Sequence, residues 1–111
     1  MCHVLLVEDL LDRDFLERCT TGADVFLASL RGAGDGVEKT PEWAAPLTGI
    51  DAGRIRDLAR RAARGRTMVT VSWSVARTRF GEQPLWAAVA LAAMLGQIGL
   101  PARRPTPPVE A

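Results

Sequence analysis

Residues 67–101 read TMVTVSWSVARTRFGEQPLWAAVALAAMLGQIGLP, and how this stretch folds governs the reading of the whole chain. Thr67 to Val71 carries β-branched and apolar side chains on both faces and no charge. That pattern fits a central strand covered on two sides, as in a parallel sheet, so a strand is predicted over 67–72. Ser72, Trp73, Ser74, Arg77 and Arg79 follow as a polar loop that Gly81 breaks. Glu82, Gln83 and Pro84 then start a helix, predicted over 83–98. Its apolar residues Leu85, Trp86, Val89, Leu91, Met94 and Leu95 run nearly all the way round, and such a helix asks for burial on most sides. The apolar run 85–96 is shorter than the roughly 20 residues that a membrane span needs.

Ligands of open α/β sheets bind beyond the carboxyl ends of parallel strands. Hydroxyls and backbone amides at such a place bind phosphate, guanidinium groups pair with it, and a helix start adds partial positive charge. The unit reads equally as a seat for a phosphate-bearing, nucleotide-like cofactor or as an ordinary strand–helix connection, since it has no glycine-rich fingerprint.

Working upstream, Asp51 opens the clearest amphipathic helix. Ile55, Leu58, Ala59, Ala62 and Ala63 form one apolar stripe, and Gly65 ends it. Arg54, Arg56, Arg60, Arg61 and Arg64 cover much of the remaining circumference. They read as a solvated face rather than a nucleic-acid stripe, because no aromatic side chains interleave to stack bases and arginine suits the negative end of a helix. Thr40-Pro41-Glu42 is a strong helix start, with a capping hydroxyl, a proline at the first helical position and a carboxylate at the positive end of the dipole. Pro46 and then Gly49 are expected to end that helix. The segment RGAGDGVEK, residues 31–39, is a surface loop. Asp24 is placed as the cap of a short helix with Phe26, Leu27 and Leu30 inward. Asp12 caps another, carrying Phe15, Leu16 and Cys19 on one face, with Gly22 as its stop.

The first stretch, VLLVEDLLDRD at 4–14, imitates the strand and acidic pair of a phosphorelay receiver. Nothing downstream completes one. Asp51 sits in PLTGIDAG with no apolar strand before it, and the only lysine, Lys39, precedes it. The acidic pair instead ends one element and leads into the cap of the next. Residues 3–7 fit a short strand or the last turns of a helix, which periodicity does not separate over so few residues.

With 111 residues, of which 48% are hydrophobic, the chain has the material for one small domain with a modest core. Fourteen basic residues against thirteen acidic give no general pull toward nucleic acid or anionic lipid. Cys2 and Cys19 lack metal-ligand spacing and read as thiols in a reducing compartment. His3, the sole histidine, lacks the partners that metal or triad chemistry needs. Glu8 and Asp9 interrupt the apolar start too early for a signal peptide. The fold class is α/β, predominantly helical. Yet one strand and a helix that both ask for neighbours exceed what this chain supplies, which points to part of a larger domain. Residues 101–111, Pro-rich and charged, are expected to be disordered.

The W-S-x-x-R loop of Trp73–Arg77, the Gly81-Glu82-Gln83 triplet, Trp86 and the LAAMLGQIGLP ending at 91–101 together resemble the molybdopterin oxidoreductases, in the branch of trimethylamine N-oxide, dimethyl sulfoxide and biotin sulfoxide reductases. Upstream, DRDFLERCTTG (12–22) and DGVEKTPEWAAPLTGID (35–51) extend the resemblance over roughly residues 1–100. It implies that residues 1–100 are an incomplete molybdopterin-dinucleotide-binding α/β domain. It also implies the cofactor, one molybdenum held by two molybdopterin guanine dinucleotides, and the removal of oxygen from an S-oxide or N-oxide. By motif position Trp73, Ser74, Arg77 and Gln83 are the cofactor contacts. Arg77 is the ionic member, Ser74 a hydroxyl donor, and Trp73 a packing surface or ring N–H. No catalytic residue and no metal ligand is carried over, because the molybdenum-ligating serine belongs to an earlier part of these enzymes.

Two departures stand out. Val75-Ala76 replaces a Met-Gln or Leu-Gln pair, and after Pro101 the chain continues as ARRPTPPVEA instead of a glycine-rich segment. The resemblance favours helix for 3–7, as the end of a helix that begins upstream of Met1. The expected function is therefore a segment of a molybdenum S- or N-oxide reductase, truncated at both ends and inactive alone. Its partner is the remainder of the parent enzyme, or another copy through exposed apolar faces, and neither nucleic acid nor membrane. Family members are periplasmic or cytoplasmic. The second reading is a small non-catalytic interaction module that keeps part of the fold.

Overall fold

A computed structural model describes residues 1–100; the predicted tail at 101–111 lies outside the described residues. Six α-helices follow one another: α1 (Cys2–Val7), α2 (Arg13–Cys19), α3 (Ala23–Leu30), α4 (Pro41–Thr48), α5 (Ala52–Arg64) and α6 (Glu82–Met94), with a 3-10 helix (Trp73–Arg77) before the last. The fold is predominantly helical, and residues 3–7 are helix.

The predicted helix starts hold at three places. Asp12 Oδ1 accepts from the Phe15 amide at 2.9 Å, Thr40 Oγ1 from Trp43 at 3.0 Å, and Asp51 Oδ2 from Gly53 at 2.9 Å. Each satisfies an amide that the first helical turn leaves without a partner. Other boundaries shift. Gly22, at φ +82°, caps the start of α3 instead of stopping α2, which places Asp24 in the first turn. Pro46 lies inside α4, and Gly49 at φ +72° ends that helix.

The shortest α-helix lies at the centre. α1 packs against α3, α5 and α6, while α2 packs on α6 and α4 on α5. Leu5 is fully buried and Val4, Leu6 and Met94 nearly so, joined by Leu11, Leu16, Leu30, Ala59 and Ala62. Complete burial of one leucine side chain stabilises by about 1.5–3 kcal/mol, so Val4, Leu5 and Leu6 make α1 a central part of the core. In α5 the buried stripe narrows to Ile55, Ala59 and Ala62, and Leu58 is exposed.

Two predictions about residues 67–98 require correction. No strand is present among the described residues: 67–72 pairs with no neighbour. A strand exists through its ladder partner, and no second extended segment lies beside this one. Burial alternates over the first four residues, with Thr67 and Val69 half-buried and Met68 and Thr70 exposed, and stops at Val71, which is 43% exposed. The following helix is shorter than 83–98, and only Ala93 and Met94 within it are buried. Trp86 and Val89 stand 64% and 62% exposed, because the described helices cover one face of α6 and leave the other bare.

Candidate functional site

The Trp73–Arg77 turn is assembled by short-range hydrogen bonds. The Ser72 carbonyl accepts from the Val75 amide at 3.3 Å and the Val75 carbonyl from Thr78 at 3.3 Å. The Thr78 hydroxyl donates to the same Val75 carbonyl at 2.9 Å. Ser72 caps the turn, its Oγ accepting from the Ser74 amide at 3.4 Å and lying 2.9 Å from Ser74 Oγ. The chain leaves through Phe80, which holds φ +58°, a conformation rare for a bulky residue. The Arg79 guanidinium lies 5.0 Å from the Phe80 ring centroid, within cation–π range.

Gly81 fits this exit sterically. A Cβ there would lie 2.5 Å from the Val75 carbonyl oxygen and 2.7 Å from the carbonyl carbon and oxygen of Ala76. The backbone at the start of α6 therefore touches the backbone of the turn, and any side chain would push them apart. Through this contact Gln83, in the first turn of α6, lies in the element seated against the turn that bears Trp73, Ser74 and Arg77. All four side chains are exposed, Trp73 at 91%. The Arg77 guanidinium makes no ion pair among the described residues. The site thus presents one large aromatic surface, one guanidinium, a pair of hydroxyls and one carboxamide outward. That donor set suits a phosphate and a polar heteroaromatic ring.

Sequence reasoning missed Gln97. Its side-chain oxygen accepts from the Thr67 amide at 2.6 Å, and its nitrogen donates to the Gly65 carbonyl at 2.7 Å. A carboxamide one residue past a helix-ending glycine is the signal that was available. Reasoning from sequence also missed Gly96, at φ +66°, which lets the end of α6 approach Asp12. There the Asp12 amide donates to the Met94 carbonyl at 2.8 Å.

Several other charged groups form ion pairs that join elements or brace loops. Arg60 grips the Glu8 carboxylate with Nε at 3.1 and 3.0 Å and Nη2 at 2.5 Å, and that hydrogen bonding holds the carboxyl below its ordinary range. Arg56 pairs with Glu42 and Lys39 with Asp35, which lowers both of those carboxyls in the same way. Two of the five α5 arginines are therefore engaged with carboxylates. His3 Nε2 lies 2.7 Å from Glu38 Oε1 and ties the 31–39 loop to α1. Burial pushes the Cys2 thiol upward, away from thiolate reactivity. Among the described residues no cluster of three or more His, Cys, Asp or Glu stands ready to hold a metal ion, and no helix is long and apolar enough to cross a membrane. A groove of about 320 Å³ between α2, α3 and α6 is lined by apolar side chains that include Leu16, Phe26, Trp86 and Val89.

No family model matches the chain. Against curated proteins it is 55% identical over 101 residues to a dimethyl sulfoxide/trimethylamine N-oxide reductase of Cereibacter sphaeroides, a match covering 91% of this chain and 12% of that protein. It is 57% identical over 90 residues to a biotin sulfoxide reductase of the same organism, covering 81% of the chain and 12% of that protein. With trimethylamine-N-oxide reductase 1 of Escherichia coli (strain K12) it shares 50% identity over 101 residues, again 91% against 12%. The chain spans about 12% of the length of these relatives.

Proposed function

We propose, from the premise that this chain belongs to the family of dimethyl sulfoxide, trimethylamine N-oxide and biotin sulfoxide reductases and spans one segment of it, that it is a segment of a molybdenum-dependent oxidoreductase acting on S-oxides or N-oxides. The segment contributes part of a molybdopterin guanine dinucleotide site and has no activity alone. One observation carries this. The turn that the family motif marks is solvent-facing, with Trp73 almost wholly bare and Arg77 without an ion pair among the described residues. A large aromatic side chain left in water beside an uncompensated cation is an arrangement that a ligand or partner would complete.

The residues present fit a pterin nucleotide by chemistry. Arg77 supplies a fixed positive fork for a phosphate oxygen pair. The Ser72 and Ser74 hydroxyls are donors of matching polarity. Trp73 supplies a face against which a flat ring packs, and the Gln83 carboxamide is both donor and acceptor. When bound, the molybdenum centre supplies the two-electron redox chemistry that takes an oxygen atom from the substrate. The role of these residues is to bind and orient the cofactor. In this reading residues 67–72 pair as a parallel strand with a neighbour from the rest of the enzyme, as a nucleotide-binding α/β domain requires. The alternation over 67–70 and the absence of a ladder partner among the described residues support such pairing.

The test is a chimera. Residues 1–100 of this chain replace the matching segment of the Cereibacter dimethyl sulfoxide/trimethylamine N-oxide reductase, expressed with cofactor synthesis. The chimera is expected to retain molybdenum and guanine nucleotide and to reduce trimethylamine N-oxide. Arg77→Ala within it should lower cofactor retention by about 10- to 100-fold, the worth of one charged hydrogen bond. A folded chimera whose Arg77→Ala and Trp73→Ala variants keep full cofactor content overturns the site. Sequencing the DNA on both sides of the reading frame tests the segment reading. Coding sequence for the rest of a reductase is expected there, and its absence would favour the interaction module, for which the bare apolar face of α6 is the supporting observation.

A further inference from the structure

We infer that Gln97 is the positioning residue of the Trp73–Arg77 turn: its carboxamide bridges the Gly65 carbonyl and the Thr67 amide and thereby fixes where the extended segment 67–72 leaves α5 and enters the turn. The inference rests on the reading of that turn as a cofactor contact.

Three observations meet at this point. α5 ends at Arg64 with Gly65 as its cap residue, so backbone groups beyond it have no helical partner. Residues 67–72 have no ladder to hold them. Left alone, such a segment would sample many directions, and the turn at its far end would move with it. Gln97 supplies both missing partners at once, at 2.7 Å to Gly65 O and 2.6 Å from Thr67 N. The Thr67 hydroxyl adds a bond to the Ala62 carbonyl at 2.9 Å.

Gln97 is itself held. It follows Gly96, whose left-handed backbone turns the chain out of α6, and the end of α6 is tied to Asp12 through the Met94 carbonyl. The carboxamide thus refers the start of the extended segment to the buried core, and Val69 packs against that core farther along. At the exit, the contact of Gly81 with Val75 and Ala76 refers the turn to the start of α6. The exit of the turn and the start of the segment that leads into it are both referred to one helix, Glu82–Met94, and Gln97 is the link at its far end. A side chain with a donor and an acceptor on one rigid plane serves here, where a carboxylate would leave Gly65 unpaired and an apolar side chain would leave both groups unpaired.

Amide hydrogen exchange on the full chain, followed residue by residue, tests this with two variants. Gln97→Met keeps the length and removes both bonds. Gln97→Glu keeps the acceptor for Thr67 N and removes the donor for Gly65 O. In Gln97→Met the amides of Thr67, Val75, Thr78 and Gly81 should exchange about tenfold faster than in the parent, while Val7 and Glu8 at the end of α1 are unchanged. In Gln97→Glu the Thr67 amide should keep its protection while the turn amides lose theirs. Equal acceleration everywhere in Gln97→Met, or no acceleration in the turn, overturns the inference. So does loss of Thr67 protection in both variants. The arms separate from the cofactor reading. If the turn loosens as stated while the chimera's cofactor content ignores Arg77→Ala and Trp73→Ala, the positioning role stands and the cofactor reading falls. If cofactor content drops in those variants but exchange ignores Gln97, the reverse holds.

Discussion

Replacing Gly96 with alanine sets two costs on one atom. The backbone there holds φ +66°, where a Cβ costs about 1–2 kcal/mol. The new Cβ would also lie 2.6 Å from Asp12 Cβ and 2.7 Å from Asp12 Cγ, well inside contact distance. Asp12 must withdraw, and its carboxylate then releases the Phe15 amide that it caps at 2.9 Å. A lost cap is worth about 1 kcal/mol, and residual displacement of α6 against α2 adds about 1 kcal/mol. Gly96→Ala should therefore destabilise by about 3–4 kcal/mol, the sum of these terms. Asp12→Gly removes the clashing atoms and costs only about 0.5 kcal/mol, since glycine is itself a tolerated cap. In the double variant the clash has gone and only the left-handed alanine and the weaker cap remain, about 2 kcal/mol. The cycle should thus show a coupling of about 1.5–2.5 kcal/mol, the double variant being more stable than the sum of the singles predicts. Hydrogen exchange at the Phe15 amide and at the buried α1 amides, in dilute solution, gives the four values. Additivity within about 0.5 kcal/mol would refute the claim that Gly96 is required by its contact with Asp12.

Leu5→Ala, at the centre of the bundle, should cost about 2–5 kcal/mol in a denaturant series, whereas Leu58→Ala on exposed α5 surface should cost under about 0.5 kcal/mol; similar costs would contradict the placement of the core. Glu8, Asp35 and Glu42 are held below their ordinary ranges by hydrogen bonds from Arg60, Lys39 and Arg56. Depressed carboxyls stabilise the fold above their unfolded values, and that stability is lost as pH falls through the folded values. Stability should therefore decline below about pH 5, and less steeply in Arg60→Ala; an unchanged slope in that variant would show that the Glu8 pair contributes nothing. Light scattering on the purified chain should find self-association through the bare face of α6, and Val89→Glu with Trp86→Glu should reduce it. A sharp monomeric unfolding transition of the parent chain would count against that exposed face as an incomplete surface.

The helix starts were legible in the residues. Asp12, Thr40 and Asp51 each precede a helix whose orphan amides need an acceptor two or three residues back, and that requirement is local. The motif Trp73–Arg77 and its family were legible too, because identity along the chain does not depend on packing. The strand at 67–72 does not form among the described residues, for a physical reason. β-branched residues state what a segment tolerates, but a ladder needs a second segment, and none lies beside this one among the described residues. The burial of α6 was misread in the same way, since an apolar circumference asks for cover without supplying it.

Other features rest on distances that no local pattern contains. Gln97 was passed over because a carboxamide after a helix is ordinary until Gly65 and Thr67 are seen on either side of it. In the sequence Gly81 reads as a breaker, yet its φ of −61° suits any residue; the Val75 and Ala76 backbone beside it is what excludes a side chain. From the sequence by itself came the caps, the helical content and the exposed motif with its family, all set by residues close together in the chain. Only the tertiary structure decided that Val4, Leu5 and Leu6 of α1 sit at the centre of the core, that Arg60 belongs to Glu8, and that a glutamine thirty residues away steadies Thr67, because contacts across such separations exist only once the helices have packed.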